Sequence, residues 1–196
     1  MRTVLWGAAL GAAGAAVGHA ALRTDPGRGL DEHLFKAVNA GHGNEADRFF
    51  FSVTKLGSLY AAGAAAGALA LCGRPRVAAR ALSAAGATWL LGQGIKKGVD
   101  RPRPFQADQD GTRRMIAEPH GTSWPSSHPA VLTTFTRVAA RELGVGSVGS
   151  AALTALDGAV ATSRVYLGVH YPSDVVSGLL FGRAVARVWP RGRVRG

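Results

Sequence analysis

The chain has 196 residues, 47% of them hydrophobic and only 18% charged, with 27 glycines and a formal net charge of +11. That length suits one domain, residues 1–196, and the charged fraction falls below the roughly 25% of a soluble domain, which argues against disorder and against an ordinary soluble fold. A single cysteine, Cys72, excludes an intrachain disulfide, no Cys/His cluster offers a zinc site, and the basic residues stand at the ends of apolar runs instead of lining one aromatic-studded face, so no nucleic-acid partner is expected.

Residues 3–22 hold no acid or base and reach across a hydrocarbon core about 30 Å thick at about 1.5 Å per residue. They read as a retained transmembrane helix. A secretory signal peptide cleaved near Gly18-His19-Ala20 competes and is disfavoured by the spans that follow. Residues 23–55 form an interfacial segment. Leu34, Phe35 and Val38 share one helical face, a Gly-containing break follows, and then Phe49, Phe50 and Phe51, which predicts two amphipathic helices at the membrane surface.

Further apolar runs occupy residues 56–72, 81–95, 129–140, 145–162 and 175–189. The expected architecture is therefore all-α: a six-transmembrane-helix bundle with amphipathic interfacial helices between the first and second spans. Arg137, Asp157, Arg183 and Arg187 inside these runs keep a soluble helical bundle as the alternative. Against it, Ala/Gly-rich stretches such as residues 63–70 suit close helix packing in a bilayer, and Trp6, Trp124 and Trp189 fall near span ends. Asp157, midway along the fifth run, is expected to face the bundle interior.

If the N-terminus is cytoplasmic, that side carries Arg2, Arg74, Arg76, Arg80, Arg137, Arg141, Arg183 and Arg187 and a tail with Arg191, Arg193 and Arg195, with Glu142 as its only acid. The total Lys/Arg count is nearly even between the sides, and the arginine-only loops favour this orientation. Residues 96–127 and 164–173 then share the outer face.

Those two segments hold the unusual residues, in three blocks. In the first, Lys96 is followed after six residues by Arg103 and Pro104; alone, it reads as a basic cluster ending a span. In the second, Pro125, Ser126, Ser127 and His128 open the fourth span; alone, they read as a serine-capped helix start. In the third, Ser163 and Arg164 precede His170 by six and five positions between, with Asp174 four residues on; alone, this is an interfacial loop with Asp174 as N-cap. Together the blocks bring three cations, two histidines, a carboxylate and a helix start to one side of the bundle. Arginine offers planar, bidentate recognition of phosphate oxygens, lysine a point charge, and a helix start free N–H groups. The pocket suits a tetrahedral oxyanion.

The order Lys-x6-Arg-Pro, Pro-Ser-x-His, Ser-Arg-x5-His-x3-Asp, running over residues 96–174, resembles the signature of the type-2 phosphatidic acid phosphatase and vanadium haloperoxidase superfamily, in its integral-membrane branch. The motif-bearing core is residues 79–189. Where the family usually has glycine and a small residue, this chain has Ser127 and Pro129; Ser127 still offers its backbone N–H.

The resemblance implies a hydrolase of a lipid phosphate or diphosphate that needs no metal and no cofactor. It implies His170 as nucleophile forming a phosphohistidine, Asp174 holding its other ring nitrogen, and His128 as acid for the leaving oxygen and then base for water. Lys96, Arg103, Arg164, Ser126 and Ser127 would bind the phosphate oxygens. The implied partners are a membrane lipid substrate and the lipid bilayer, with no oligomeric state indicated. Candidate substrates are a polyprenyl diphosphate carrier such as undecaprenyl diphosphate, phosphatidylglycerophosphate, phosphatidic acid or a prenyl-phosphate sugar intermediate. The arginine excess and Ala/Gly bias suggest a bacterial, GC-rich source, and hence the bacterial cell membrane, with an extracytoplasmic site. A vanadate-dependent haloperoxidase and a non-catalytic lipid-binding membrane protein are the alternatives; the former lacks room for its extra helices. His19, His33, His42 and His120 match no motif position and are expected to be interfacial or packing residues. Tyr166 and Tyr171 are expected to be interfacial anchors.

Overall fold

The computed structural model describes residues 2–191 and is all-helical, with a long non-helical loop at residues 108–126 and no strand among the described residues. Arg193 and Arg195 of the predicted basic tail lie outside them. The first helix, α1 (Arg2–Arg23), turns at Thr24, whose hydroxyl accepts the Gly27 N–H and starts α2 (Asp25–Asn39). Gly41 and Gly43, at φ 90° and 91°, supply the left-handed backbone of the break before α3 (Asn44–Val53). These are the two amphipathic helices the sequence predicts within residues 23–55, the first capped by Thr24.

A 3-10 turn (Thr54–Gly57) leads to Ser58, whose hydroxyl caps α4 (Leu59–Leu71) through the Ala61 N–H. After Gly73 the chain enters α5 (Pro75–Lys96) at a proline that suits the first helical turn, so the helix begins six residues before its apolar run. A short helix, α6 (Pro104–Ala107), interrupts the loop to α7 (Ser127–Leu143), which ends at Gly144 in the left-handed conformation. The last two helices are α8 (Ser147–Tyr166) and α9 (Pro172–Val188).

Central to the bundle is α7, packed against α5, α8 and α9, while α1 lies along α9 and α4 along α5. Small residues set the spacing. A Cβ on Gly182 of α9 would stand 2.5 Å from the Ala130 carbonyl oxygen of α7, so only glycine permits this approach. Ala81, Ala84 and Ala85 of α5 pack similarly against Val131, Phe135 and Val138 of α7.

The polar pattern is turned inward. Thr88, Thr133, Thr134, Thr136, Asp157 and Ser177 are buried between helices, whereas Leu71, Leu90, Leu91 and Val148 are exposed. Asp157 faces the interior as expected, paired with Arg137 at 3.2 Å. Among the described residues one helix, Leu5–Arg23, is long and apolar enough to cross a membrane by length and composition, with Leu59–Leu71 a shorter apolar helix. The other long helices place charge, Thr and Ser in the same windows.

Two tyrosines differ from expectation. Tyr166 and Tyr171 are buried, not anchors on the outside. Tyr166 donates its hydroxyl to Asp47 at 2.6 Å and packs on Phe50, and Tyr171 packs on Phe35, so both fasten α2 and α3 to the α8–α9 junction.

Candidate active site

The C-terminus of α5, the N-terminus of α7 and the α8–α9 loop meet at one end of the bundle around a cavity of about 510 Å³. Lys96, Arg103, Ser127, His128 and His170 line it together with His120. Residues 57–60, Trp89 and Val131 form its apolar side. Gly57 is required there, because a Cβ on it would stand 2.8 Å from both the His128 Cβ and a Val160 methyl.

His170 is buried, with Nδ1 3.5 Å from an Asp174 carboxylate oxygen and Nε2 3.3 Å from the Arg103 guanidinium. Burial pulls its pKa down to about 3; Arg103 and Arg164 add to the shift and Asp174 opposes it. The imidazole is therefore neutral at pH 7. With the proton on Nδ1, toward Asp174, the Nε2 lone pair is directed to the Arg103 side of the cavity.

Asp174 lies in the first turn of α9 and accepts the Tyr171 N–H at 2.8 Å; Tyr171 occupies the N-cap position, so the aspartate acts three residues inside the helix and is not the N-cap that its block alone suggests. It also accepts the Ser123 hydroxyl and an Arg101 N–H, the latter at 2.5 Å. Arg101 in turn reaches Asp31 of α2 at 2.5 Å. This network was not legible in the sequence. Arg101 was one more base beside Arg103, and Asp31 was one more charge on an amphipathic helix; their burial is the only signal that separates them.

The predicted phosphate ligands fall into two groups. Lys96 and Ser127 face the cavity; Lys96 commits one N–H to the Thr122 carbonyl at 2.7 Å and keeps two. Arg103 faces it too, but its guanidinium is engaged by the carbonyls of Gly121, Val169, His120 and Thr122 and by His170, fixing the loop before α7 to the loop before α9. Arg164 and Ser126 stand behind the wall. Arg164 donates to the Thr54 hydroxyl at 2.9 Å and has a buried Nε without a partner. Ser126 gives its N–H to the Asp174 carbonyl at 3.1 Å, and its buried hydroxyl has no partner among the described residues.

His120, which matches no motif position, lines the cavity. Asp157 contacts Arg137 and Thr136 and not the cavity wall. Among the described residues no three His, Cys, Asp or Glu side chains gather as metal ligands. What gathers instead is cations, three imidazoles and a helix start, an arrangement that can hold a tetrahedral anion and present a neutral nitrogen nucleophile to it.

A helical bundle with this motif order and this constellation at one end is a PAP2-type fold, and the chain belongs to the PAP2 superfamily, which its residues 77–195 match. The family is the one the motifs resemble. Among curated relatives, the decaprenylphosphoryl-5-phosphoribose phosphatase of Mycobacterium tuberculosis H37Rv is 36% identical over 94 residues, 48% of this chain and 49% of that protein. The Mycolicibacterium smegmatis protein of the same name is 40% identical over 84 residues, 43% of this chain and 42% of its own length. The chain thus spans about half the length of the curated relatives it matches, or less. Of solved structures, Aquifex aeolicus LpxE superposes with a TM-score of 0.70 at 26% identity, covering 80% of this chain and 92% of that one. The transmembrane PAP2-type phosphatidylglycerolphosphate phosphatase of Bacillus subtilis superposes with a TM-score of 0.65 at 22% identity, covering 94% and 90%.

Proposed function

We propose that this chain is a single-domain, integral-membrane lipid phosphatase that hydrolyses a lipid phosphate or diphosphate through a phosphohistidine, without a metal. The observation that carries the proposal is His170: neutral, buried, with Nδ1 beside Asp174 and Nε2 3.3 Å from the Arg103 guanidinium at the cavity wall. Family membership and the names of the relatives support the activity; the inward polar pattern and outward leucines support placement in a bilayer, with α1, α4, α5, α7, α8 and α9 as the six spans.

In the proposed reaction His170 Nε2 attacks phosphorus in line, forming the N–P bond as the bond to the leaving oxygen breaks. His128 protonates that oxygen. Asp174 stabilises the imidazolium that develops, as a carboxylate does in a catalytic triad. Water, deprotonated by His128, then attacks phosphorus, breaks the N–P bond and releases inorganic phosphate. Acid–base groups held in this way contribute roughly 10²- to 10⁴-fold. Lys96 and the Ser127 N–H meet the equatorial oxygens, Arg103 turns the N–H that faces His170 Nε2 to another of them and so frees the lone pair, and Arg164 and Ser126 act from behind with charge and hydroxyl.

The apolar side of the cavity, Leu59, Tyr60, Trp89 and Val131, gives the lipid chain a path toward the α4–α5 surface. Among candidate lipids, the mycobacterial relatives favour a prenyl-phosphate sugar intermediate. Arg74, Arg76, Arg137, Arg141, Arg183 and Arg187 stand at the helix ends remote from the cavity, which supports a cytoplasmic remote end and an extracytoplasmic site in the bacterial cell membrane. The test is phosphate release by detergent-purified protein in excess EDTA across a prenyl-phosphate sugar, phosphatidic acid, phosphatidylglycerophosphate, farnesyl and polyprenyl diphosphates and a soluble ester. Release dependent on His170 supports the proposal; no release on any lipid, or release unchanged in His170→Ala, refutes it.

A further inference from the structure

At the opposite end of the bundle lies a second cavity, of about 460 Å³, that the reaction above does not use. Five arginines line it: Arg137 and Arg141 of α7, Arg183 and Arg187 of α9, and Arg191 just beyond. Leu10, Thr154 and Ala186 complete the wall, and no carboxylate is part of it.

The arginines are only partly balanced. Arg137 spends one amino group on Thr154 and Asp157, and Arg141 spends its own on the Ala186 carbonyl and on Glu142, which also faces Arg80. The Nε groups of Arg137 and Arg141 are both buried without a partner among the described residues. Arg183 and Arg187 have no hydrogen-bond or ion-pair partner among the described residues. Each helix presents its two arginines at an i,i+4 spacing, where like charges repel, and packing sets the two pairs against one cavity. Buried guanidinium N–H groups left open beside unpaired cations fit an anion with several acceptor oxygens, and arginine's planar fork matches phosphate bidentately.

We propose that this cavity binds the phosphate group of an anionic ligand at the end of the bundle remote from His170, and that in the membrane this ligand is the headgroup of an anionic phospholipid. The membrane source rests on the bilayer placement argued above. Leu10 belongs to the first half of α1, the helix long and apolar enough to span, five residues inside its apolar stretch, so the cavity lies toward the end of that span remote from His170. Basic pockets between helix ends hold anionic headgroups in this manner.

The test compares the full-length protein with Arg183→Gln/Arg187→Gln and with a control, Arg74→Gln/Arg76→Gln, which removes the same charge from exposed positions on the same end outside the cavity. Binding is read by native mass spectrometry and by titration in nanodiscs of phosphatidylcholine with increasing phosphatidylglycerol, and in a separate arm by inorganic phosphate in neutral detergent. The cavity variant is expected to bind phosphatidylglycerol about 30-fold more weakly, at about a tenfold loss per 1.4 kcal/mol and roughly 1 kcal/mol per arginine, while the control matches the wild type. The single variants Arg183→Gln and Arg187→Gln report the same loss in smaller steps should the double variant fold poorly. Inorganic phosphate competing with the lipid at the same arginines supports the proposal; inorganic phosphate bound there with no preference for phosphatidylglycerol over phosphatidylcholine makes the ligand a soluble anion and overturns the membrane source. Equal loss in cavity and control variants, or no preference of the wild type for phosphatidylglycerol over phosphatidylcholine with no binding of inorganic phosphate, overturns the proposal. Because binding is measured rather than turnover, failure here leaves the phosphatase reading untouched, and failure of that reading leaves this result standing.

Discussion

Arg101→Met removes the one cation shared by two buried carboxylates. Arg101 holds Asp31 and Asp174 at 2.5 Å each, with side-chain exposures of 7% for the arginine, 4% for Asp31 and 0% for Asp174. Removing one partner of a buried pair costs about 3–5 kcal/mol, since the charge left behind has no water to turn to. Both carboxylates keep other donors here: the Ser173 N–H and hydroxyl on Asp31, and Ser123 and the Tyr171 N–H on Asp174, which holds the expected loss within that range. For a chain of this size that is a fall in Tm on the order of 10 °C. Asp31→Asn should cost less, because Arg101 keeps Asp174 and an amide oxygen can still accept. The double variant Arg101→Met/Asp31→Asn should be more stable than the two single losses added together, by about 1 kcal/mol or more, because only one carboxylate is then stranded. Thermal unfolding of the four proteins in one detergent reads all three values. Arg101→Met should also lower kcat more than it raises KM, because Asp174 loses the anchor that aims it at His170. Additive single losses, or an arginine variant no less stable than Asp31→Asn, would refute the reasoning.

Stability should also depend on pH through His170. The native state keeps this imidazole unprotonated down to about pH 3, whereas the unfolded chain protonates it near pH 6.5. Between those values the unfolded state binds more protons, so the contribution is whole above about pH 6.5 and is lost as the pH falls; Tm scanned from pH 7 to pH 4 should drop, and His170→Gln should flatten the slope. Gly57→Ala places a methyl against His128 and Val160, and a displacement of about 1 Å there should lower kcat/KM roughly 10²-fold with little change in KM, as steady-state kinetics would show. Gly182→Ala pushes α9 off the Ala130 carbonyl and should instead cost about 1–3 kcal/mol in unfolding experiments.

Much of this molecule could be read from the sequence because local chemistry marks it. Each long apolar run marks a helix, while the helix ends are set by Thr24, Ser58, Pro75 and Gly144, whose hydroxyls, ring and missing side chain fix termini that hydropathy does not show. The three motif blocks converge on one cavity because each sits at a helix terminus, and antiparallel neighbours bring those termini to one end. Long-range burial left no such mark. Asp31 and Arg101 are 70 positions apart, and Tyr166 meets Asp47 across 119. An amphipathic helix looks the same in sequence whether its acid faces water or a buried arginine. Likewise nothing in the spacing distinguishes Lys96, which faces the cavity, from Arg164, which stands behind it. The five arginines of the second cavity read as a basic helix-end pattern until α7 and α9 are packed together.

The central claim is that His170 carries the phosphoryl group. The most direct measurement is rapid quench of the purified protein with a radiolabelled phospholipid or prenyl-phosphate substrate from the release assay, followed by peptide mapping. The account predicts a label that is acid-labile and base-stable, resides on the peptide containing His170, appears and decays at rates consistent with turnover, and is absent from His170→Ala. Single-turnover hydrolysis with no protein-bound phosphoryl group, or a label on another residue, would contradict it.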